Sequence, residues 1–565
     1  MLGKWITRHK NIILLIACVL LVPSVIGYVS TRVNYDVLSY LPNTLETVSG
    51  QDTLVDEFGM GAFSMIVVED MSNKQAAALE KKIEGIDHVK DVLWYDDMVD
   101  ISVPTEMLPK NLEEAFFNGN ATMMIALFDD TTSADDTMDA ITNIRKTVGK
   151  DVYASGMSGV VTDIKNLALQ EMPIYVVIAA VLSLVVLIIT MDSFLTPFIF
   201  LANIGMAIVF NLGSNIFLGE ISYITQALAA VLQLAVTMDY SIFLLESYEA
   251  NKKRFPDDRK RAMAHAISNT FKSVSSSSVT TIAGFVALCF MTFKLGANIG
   301  IVMSKGVVIG VITCVTVLPA MILTFDNAIE KTTHKALIPP LTKVSDFIVK
   351  HYKIAIVVFL VLLGPAIYGN SNYKIYYNID QGLPKNIPSA EANDKLKEHF
   401  NMSNVHMVLL KDGLSAKDKN QMIKKIEKVD GVKWVIGLNS LVGPNFPETM
   451  IPEDVKSMLK TDKYELQFVC SDYSSATDKV NAQLDEMQKI VKGYQKDAMV
   501  IGEAPLMKDL QDTTDIDLKT VNYISIAAIF IIILVTFKSI SIPIILVAVI
   551  EFAIACNMAV PYYTN

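Results

Sequence analysis

The residues best suited to chemistry lie in a short stretch, Gln233–Phe243, within a long apolar run. The run Tyr223–Leu245 is long enough to cross a bilayer, so Asp239 and Tyr240 should be surrounded by hydrocarbon or by other helices. A carboxylate at that depth costs at least about 2.5–3.5 kcal/mol and usually faces a polar pathway or a partner. A desolvated carboxyl group can also bind and release protons, and a tyrosine can extend its hydrogen bonds. The stretch predicts either a proton relay or an aspartate that only hydrogen-bonds a neighbouring helix.

The helical phase of this run separates Asp239 from the other polar side chains. At about 100° per residue, one polar stripe contains Gln226, Gln233, Thr237 and Tyr240. Asp239 projects to nearly the opposite side, in phase with Leu228, Leu232 and Ala235. Polarity on two faces predicts a helix surrounded by protein, in which any partner of Asp239 comes from another helix.

Candidate partners of Asp239 occur on the next two apolar runs: Ser278, Thr280, Thr281 and Lys305. The hydroxyl residues could equally be small side chains that allow helices to pack closely. A membrane lysine needs a counter-ion, but the depths of Lys305 and Asp239 differ. At 1.5 Å per residue, Asp239 lies about 24 Å from Tyr223, whereas Lys305 lies about 9 Å from Ile299. Extension of Lys305 to the membrane surface therefore competes with a direct ion pair.

Composition excludes several classes of function. The chain has 565 residues and 52% apolar content, too long and too apolar for one soluble domain. Residues 31–172 hold 25 acidic and 10 basic side chains, which argues against nucleic acid as a partner. Only Cys470 of the five cysteines lies in a polar region, so neither polar domain can hold a disulfide framework. No histidine spacing or Gly-rich loop indicates a metal, a cofactor or ATP, and an enzyme is not expected.

The alternation of apolar and polar segments predicts about nine membrane-spanning helices and two large polar domains. The boundaries are a first helix (1–30), a polar domain (31–172), helices two to six (173–325), a linker (326–353), a seventh helix (354–371), a second polar domain (372–519) and helices eight and nine (520–565).

Basic residues predict the orientation in the membrane. Lysines and arginines cluster between the fourth and fifth helices (252–272) and in the linker. Short basic loops remain in the cytoplasm. We therefore expect a multi-pass protein of the cell membrane with a cytoplasmic N-terminus and both polar domains outside.

The two halves of the chain are a repeat in the same orientation. Leu41-Pro42 recurs as Leu383-Pro384, an offset of 342 positions, and Lys81–Glu84 recurs as Lys424–Glu427 at an offset of 343. Pro197 and Pro543 continue the register at an offset of 346. Parallel repeats of this kind occur in transporters.

Each polar domain alternates strand and helix in the order β-α-β-β-α-β. This order predicts a ferredoxin-like, split βαβ layer, giving a polytopic α-helical membrane protein with two extracytoplasmic α+β domains. The predicted elements are 63–69, 74–84, 89–95, 122–128, 133–148 and 152–154 in the first domain, and 405–410, 416–427, 432–438, 465–470, 477–491 and 499–501 in the second. Segment 96–120 is expected to be an irregular insertion. Its neighbouring aromatics, Trp94, Tyr95, Phe116 and Phe117, fit either a core or an apolar groove.

This layout resembles the RND superfamily, and within it the MMPL (mycobacterial membrane protein large) family. The likeness covers nearly the whole chain and rests on three motifs. They are Tyr35-Asp36-Val37-Leu38-Ser39-Tyr40-Leu41-Pro42, Thr237-Met238-Asp239-Tyr240 and Ser278-Val279-Thr280-Thr281-Ile282-Ala283-Gly284-Phe285. The resemblance implies proton-coupled export, or movement between leaflets, of lipids or other amphiphiles. It makes Asp239 and Tyr240 the first half of a proton relay.

The second half of that relay is not within the sequence. The offset of 346 places the counterpart of Asp239 at position 585, about 20 positions beyond Asn565. We therefore expect a fragment with about nine of twelve helices, or the product of an interrupted gene.

The leading functional hypothesis is a proton-driven exporter of hydrophobic or amphiphilic molecules, with membrane lipids as surroundings or substrate. A sterol-sensing-like or envelope-scaffold protein, in which Asp239 is structural, is the alternative from another class. A third hypothesis is an accessory factor of protein export, since such factors share this architecture. A homo-oligomer and accessory membrane proteins remain open as partners.

Overall fold

The computed structural model describes residues 2–97, 99–108, 110–149, 152–334, 342–373, 382–438 and 453–564. Parts of the predicted linker and of the second polar domain lie outside these ranges. The chain forms two compact units, which we call the helical unit (1–34, 170–376 and 517–565) and the α/β unit (35–169 and 377–516).

The described helices number nineteen when short 3₁₀ turns are left aside. In chain order they are α1 (Leu2–Arg8), α2 (Lys10–Ser30), α3 (Glu46–Phe58), α4 (Asn73–Glu84), α5 (Lys110–Phe116), α6 (Asp135–Thr147), α7 (Met157–Thr190), α8 (Thr196–Gly213), α9 (Tyr223–Arg254), α10 (Arg259–Ala287), α11 (Lys294–Lys331), α12 (Thr342–Lys350), α13 (Tyr352–Asn372), α14 (Pro388–Phe400), α15 (Ala416–Ile426), α16 (Glu453–Leu459), α17 (Asp478–Tyr494), α18 (Glu503–Phe537) and α19 (Ser541–Thr564).

The described strands form one two-stranded pair and two larger sheets. They are β1 (Arg32–Asn34), β2 (Ala62–Glu69), β3 (Val89–Leu93), β4 (Phe117–Asn118), β5 (Ala121–Phe128), β6 (Val152–Ser155), β7 (Glu220–Ser222), β8 (Asn404–Lys411), β9 (Val432–Gly437), β10 (Tyr464–Ser471) and β11 (Met499–Gly502).

Within the described residues, nine helices are long and apolar enough to cross a membrane, by length and composition: α2, α7, α8, α9, α10, α11, α13, α18 and α19. This number confirms the prediction from hydropathy. Three of them, α8, α9 and α11, form the centre of the helical unit, because 44–67% of the residues in their most apolar 18-residue segments are buried. The other six bury 17% or less.

Several membrane helices extend beyond the predicted boundaries: α7 begins at Met157 and α18 at Glu503, before the expected 173 and 520. Helix α10 begins at Arg259, because the basic segment after α9 is itself helical and only residues 255–258 interrupt it. The Asp258 carboxylate accepts a hydrogen bond of 2.9 Å from the Arg261 backbone N–H and so caps the new start. Helix α11 continues to Lys331, past the predicted start of the linker at 326.

The internal repeat is visible in the element bounds. Helices α2 and α13, helices α3 and α14, and strands β2 and β8 have equal lengths and are each displaced by 342 positions. The break before α2 falls at His9, with φ −107° and ψ 24°, and its counterpart His351 has φ −110° and ψ 27°. Equal bounds and equal backbone angles confirm the duplication.

Each sheet of the α/β unit is antiparallel, and four strands of each follow an equivalent order. The first runs β3-β5-β2-β6, and the second runs β9-β10-β8-β11. Six elements in each half follow the predicted order β-α-β-β-α-β, so that prediction is confirmed. Short, nearly continuous apolar runs account for the central strands, since β2, β5, β8 and β10 are buried or half-buried along nearly all of their length.

The expected irregular insertion contains regular structure. Residues 110–118 form helix α5 and strand β4, and β4 pairs with β5 as an additional edge strand. The aromatic side chains are core, because Trp94 and Tyr95 are 0% exposed and Phe116 is 1% exposed. The Trp94 indole N–H donates to Thr122 Oγ1 at 2.8 Å, which satisfies the polar end of this core residue.

The two halves of the α/β unit exchange helices. Helix α14, which precedes the second sheet, packs on β6 and β2 of the first, and Lys395 contacts Glu69 at the end of β2 at 3.0 Å. Helix α3, which precedes the first sheet, packs on β11 of the second, and Glu46 contacts Lys492 at 2.6 Å. Because each sheet depends on a helix from the other half, the halves form one structure.

Candidate functional site

Asp239 lies on an exposed face of helix α9. Its neighbours on that face are apolar and also exposed: Leu228 (37%), Leu232 (37%) and Ala235. No described residue forms a hydrogen bond or an ion pair with the Asp239 carboxylate. The helical phase read from the sequence is therefore confirmed. The expectation that protein surrounds the helix is wrong for this face within the described residues, because Asp239 lies exposed among apolar side chains.

The opposite face of α9 carries the predicted polar stripe into the centre of the helical unit. Gln233, Thr237 and Tyr240 are 2%, 0% and 3% exposed. The Tyr240 hydroxyl lies near Thr281, but no described residue forms a hydrogen bond of good geometry with it. Tyr240 thus borders Asp239 in sequence and faces a different environment.

Helix α11 approaches this stripe through two glycines. The Gln233 amide donates to the Gly306 carbonyl oxygen at 3.2 Å. A Cβ atom at Gly306 would lie 2.6 Å from the Asn211 amide nitrogen, and one at Gly310 would lie 2.7 Å from Thr237 Oγ1. Larger residues at these positions would separate the helices, so this G-x-x-x-G pair sets their spacing.

Lys305 belongs to this buried polar group and does not contact Asp239. Its Nζ donates to the Asn211 carbonyl oxygen at 3.1 Å and to Asn215 Oδ1 at 2.5 Å. The difference in depth calculated from the sequence explains why no direct ion pair forms. Lys305 is half-buried, so it does not simply extend to solvent.

The other three candidate partners use their hydroxyls within α10. Ser278 donates to the Ser275 carbonyl oxygen at 3.1 Å, and Thr280 and Thr281 donate to that of Ser277 at 2.6 and 3.3 Å. None of them contacts Asp239 among the described residues. Satisfied hydroxyls on a helix are typical of close packing, the alternative that the sequence left open.

Asp517 caps the start of α11 from another helix. Its carboxylate accepts hydrogen bonds from the backbone N–H groups of Thr292 at 3.0 Å and Phe293 at 2.8 Å. The free N–H groups and the dipole at a helix N-terminus favour a negative charge there. This contact joins the second repeat to the helix that carries Lys305, and no sequence pattern indicated it.

A second set of charges missed by the sequence analysis lies at the other end of α9 and α11. The buried Asp326 accepts from the Tyr248 hydroxyl at 3.1 Å and lies 2.6 Å from Arg259 Nη1. Lys252 contacts Glu330 at 2.8 Å. Asp326 and Glu330 are spaced four residues apart, so they lie on one helix face, opposite a basic segment. This spacing is the sequence pattern from which the ion pairs could have been predicted.

Glu551 is another ionisable residue that the sequence analysis did not single out. It lies within α19 and is half-buried, and no described residue forms a hydrogen bond or an ion pair with it. A carboxyl group in an apolar helix is a functional candidate by default. Glu551 belongs to none of the three motifs that resemble the family, so no motif in the sequence points to it.

In the α/β unit, the Tyr35–Pro42 motif forms a tight turn beside a cavity. Asp36 Oδ1 accepts from the Leu38 backbone N–H at 2.9 Å, and Leu41 is fully buried. Burial raises the pKa of Asp36 to about 6, although hydrogen bonds from Leu38 and Ser39 oppose the rise. Asp36 therefore changes charge near neutral pH.

The cavity beside Asp36 has a volume of about 610 Å³. It lies within the α/β unit and combines apolar side chains with charged ones at its edge. Its lining includes Met60, Phe63, Phe468, Lys385 and Lys397. Apolar walls with a few charged groups suit an amphiphilic ligand.

Three carboxyl groups also cluster in the α/β unit. Glu80, Asp96 and Asp97 place one oxygen each within 4.8 Å of one another. Burial, followed by repulsion from Asp96 and Asp97, raises the pKa of Glu80 well above its ordinary value. The cluster therefore holds a proton at pH values where an isolated glutamate would be ionised.

We expect Glu80→Gln to stabilise the α/β unit at pH 8 by at least about 1.4 kcal/mol, the equivalent of one pKa unit. A raised pKa in the folded state favours folding at low pH, and that contribution is lost as pH rises through the folded-state pKa. The variant should therefore differ little from the wild type at pH 5. Urea unfolding followed by Trp94 fluorescence measures both values. The exposed Glu106→Gln is the control, and an equal effect at both pH values would contradict the prediction.

These features define a polytopic membrane protein with a duplicated architecture, a carboxylate on an apolar helix face and a buried polar stripe beside it. The MMPL family profile matches residues 52–338 and 381–564. The chain belongs to the MMPL family, and the resemblance read from its motifs is confirmed.

Individual relatives are distant and longer. The chain is 22% identical over 362 residues to the siderophore exporter MmpL5 of Mycobacterium tuberculosis, covering 60% of this chain and 37% of that protein. It is 24% identical over 315 residues to the probable transport protein MmpL12 of M. tuberculosis, covering 53% and 27%. It is 29% identical over 122 residues to the putative membrane protein ActII-3 of Streptomyces coelicolor, covering 22% and 17%. The matched region therefore spans well under two thirds of each relative.

Proposed function

We propose that this chain takes part in proton-driven export of hydrophobic or amphiphilic molecules, including lipids, and that it is not an enzyme. The observation that carries the proposal is the position of Asp239 on an apolar face of α9, next to the buried Tyr240. A carboxyl group there is costly when ionised and tolerated when protonated, so its protonation can drive a change in helix packing. Membership of a family that includes a siderophore exporter supports the assignment.

The proposed orientation places the N-terminus and the basic ends of α9 and α10 in the cytoplasm. Lys253, Arg254, Lys260 and Arg261 are all exposed there, as residues at an anionic membrane surface would be. The α/β unit then lies outside the cell. The strand order supports a ferredoxin-like fold for each of the two sheets with its helices.

The α/β cavity is the proposed substrate site. A volume of about 610 Å³ lies within the range of small-molecule pockets. The lining carries Lys385 and Lys397 together with four carboxyl groups, so it suits a headgroup with both signs of charge, while Phe63 and Phe468 contact an apolar chain; the carboxyl groups are those of Asp36, Asp52, Asp394 and Glu503. Ionisation of Asp36 near pH 6 would make the lining more negative, so substrate affinity should depend on pH.

The function is tested with purified full chain in proteoliposomes that contain a fluorescent short-chain phospholipid. A pH gradient, imposed across the bilayer, should accelerate movement of the lipid, and an uncoupler should remove the acceleration. Liposomes without protein give the background. A scaffold or sensor protein would show the same rate with and without the gradient, and that result would reject the proposed function.

A further inference from the structure

Lys305 carries a positive charge that has no counter-ion among the described residues. Its Nζ donates to the Asn211 carbonyl oxygen and to Asn215 Oδ1, and both acceptors are neutral. An ammonium group has three N–H donors, so one donor is left over. Charged groups in membrane segments usually pair with an opposite charge. The partner that completes this set is an acceptor, and the charge favours an anion.

Lys305 also lies on the exposed side of α11. Ile301 lies four residues before it, and Val308 and Ile312 lie three and seven residues after it; they are 46%, 44% and 55% exposed. Residues at this spacing share one face of a helix. Lys305 is itself only half-buried, so a ligand can reach it from this apolar face without a rearrangement of the helices.

The end of α8 gives the depth of the amine. Asn211 lies in the last turn of α8, 15 residues or about 22 Å from Thr196 at the other end. Since the hydrocarbon core is about 30 Å thick, a helix that begins at one surface has crossed most of the core at Asn211. The amine that Asn211 binds therefore lies close to the lipid headgroups, on the side of the membrane opposite to the basic ends of α9 and α10.

An exposed apolar turn adjoins the amine. This turn, Ser214–Leu218, follows α8 directly, and Asn215, which accepts from Lys305, belongs to it. Phe217 is 89% exposed, and its two neighbours in the chain are both 41% exposed. Exposed apolar side chains beside a charged group are typical of a surface that contacts membrane lipid.

We propose that Lys305 and the apolar turn bind the anionic phosphodiester headgroup of a membrane phospholipid at this end of α8 and α11. A lysine ammonium is a compact point charge and a common ligand of phosphate. The C-terminus of α8 stabilises the cation, because that end of the helix dipole is negative. The phosphodiester supplies the missing anion, and the acyl chains contact Ile301, Val308 and the apolar turn.

This lipid site is separate from the cavity of the α/β unit and from Asp239. Lipid binding at Lys305 does not require transport, so it goes beyond the proposed function. Only the assignment of the site to the outer leaflet rests on the proposed orientation.

Lys305→Met tests the proposal, because methionine keeps an unbranched side chain and removes the charge. Native mass spectrometry of the full chain in detergent measures its affinity for dioctanoylphosphatidylglycerol. This affinity should fall about five-fold, the usual effect of one lysine near an anionic lipid. The affinity for dioctanoylphosphatidylcholine, whose headgroup carries its own cation, should change by less than about two-fold. An equal loss for both lipids, or no loss for either, would overturn the proposal.

Lys331→Met is the matched control. Lys331 lies at the other end of the same helix, is exposed and forms no ion pair with a described residue, so its substitution should leave both affinities unchanged. A loss as large as that of Lys305→Met would indicate a general charge effect and reject the site. Lys305→Arg keeps the charge and should retain most of the affinity for phosphatidylglycerol.

Inorganic phosphate distinguishes a lipid site from a site for free phosphate. At millimolar concentration it should not displace phosphatidylglycerol, because it has no acyl chain to contact the apolar face. Displacement of the lipid by phosphate would reject the assignment to a phospholipid.

Amine labelling of the unmodified chain decides the question if Lys305→Met does not fold. Phenyl isothiocyanate is apolar and reacts with lysine amines, and peptide mass spectrometry gives the rate at each lysine. In detergent, dioctanoylphosphatidylglycerol should slow the labelling of Lys305 several-fold and that of Lys331 little, and phosphatidylcholine should protect neither. Equal labelling of Lys305 with and without phosphatidylglycerol, or equal protection of the two lysines, would overturn the proposal, whether or not the protein transports lipid.

Discussion

Asp239→Asn is expected to reduce gradient-driven lipid movement to the level of liposomes without protein. Asparagine has nearly the same shape and cannot ionise, so the helix remains but the protonation step is lost. Asp239→Glu keeps a titratable group at a shifted position and should retain part of the rate. The measurement is the initial rate in proteoliposomes with an imposed pH gradient.

The control for this prediction is Asp192→Asn, which removes an exposed carboxylate from the turn between α7 and α8. It should keep the wild-type rate. Undiminished, gradient-dependent movement in the Asp239→Asn protein would remove Asp239 from the mechanism.

Labelling provides a readout of Asp239 that does not depend on transport. Dicyclohexylcarbodiimide partitions into bilayers and reacts with protonated carboxyl groups. Because Asp239 lies on an exposed apolar face, we expect its peptide to be labelled, more strongly at low pH, and the Asp239→Asn peptide to be unlabelled. The peptide that contains Glu551 serves as an internal reference for reagent access.

Asp163→Ala is expected to destabilise the α/β unit by about 3–5 kcal/mol, the usual cost of breaking a buried ion pair. Asp163 is 5% exposed and contacts Arg145 through two bonds, at 2.6 and 3.2 Å. It also accepts from the Ser389 backbone N–H at 2.7 Å, at the start of α14. One carboxylate therefore joins helices from both repeats, and its removal leaves a partly buried guanidinium without its counter-ion.

Urea unfolding of the full chain measures this effect. Trp94 and Trp434 are buried in the α/β unit, so tryptophan fluorescence follows that unit. Asp163→Asn keeps an acceptor for Ser389 and should cost less than Asp163→Ala. Asp135→Ala breaks the solvent-exposed pair with Lys165, at 3.1 Å, and should cost less than about 1 kcal/mol. If Asp163→Ala and Asp135→Ala were equally stable, the exchanged helix would not depend on this contact.

Several features of the candidate site could be predicted because they depend on local periodicity. Asp239 lies on the opposite face of α9 from Thr237 and Tyr240. This follows from a rotation of about 100° per residue along a helix, and the structure confirms it. The elements of the α/β unit followed from the alternation of strand-like and helix-like segments and from the repeat register. These patterns are local to short segments of the chain and do not depend on which other elements pack against them.

The partners of the same residues could not be predicted in this way. Lys305 was compared with Asp239 because both are charged, whereas its bonds go to Asn211 and Asn215 on a helix that the polar pattern did not single out. The cap that Asp517 provides for α11 joins positions more than 200 residues apart in the chain. Neither contact leaves a periodic signal.

The sequence by itself determined the membrane helices, the duplication, the family and the face on which Asp239 lies, because hydropathy, register and helical phase are properties of the chain. Only the tertiary structure decided that α3 and α14 exchange between sheets and that Asn211 of α8, Gln233 of α9 and Lys305 of α11 belong to one buried polar group. The physical reason is that backbone approach at Gly306 and Gly310, and the satisfaction of buried polar atoms, depend on which helices meet and at what register.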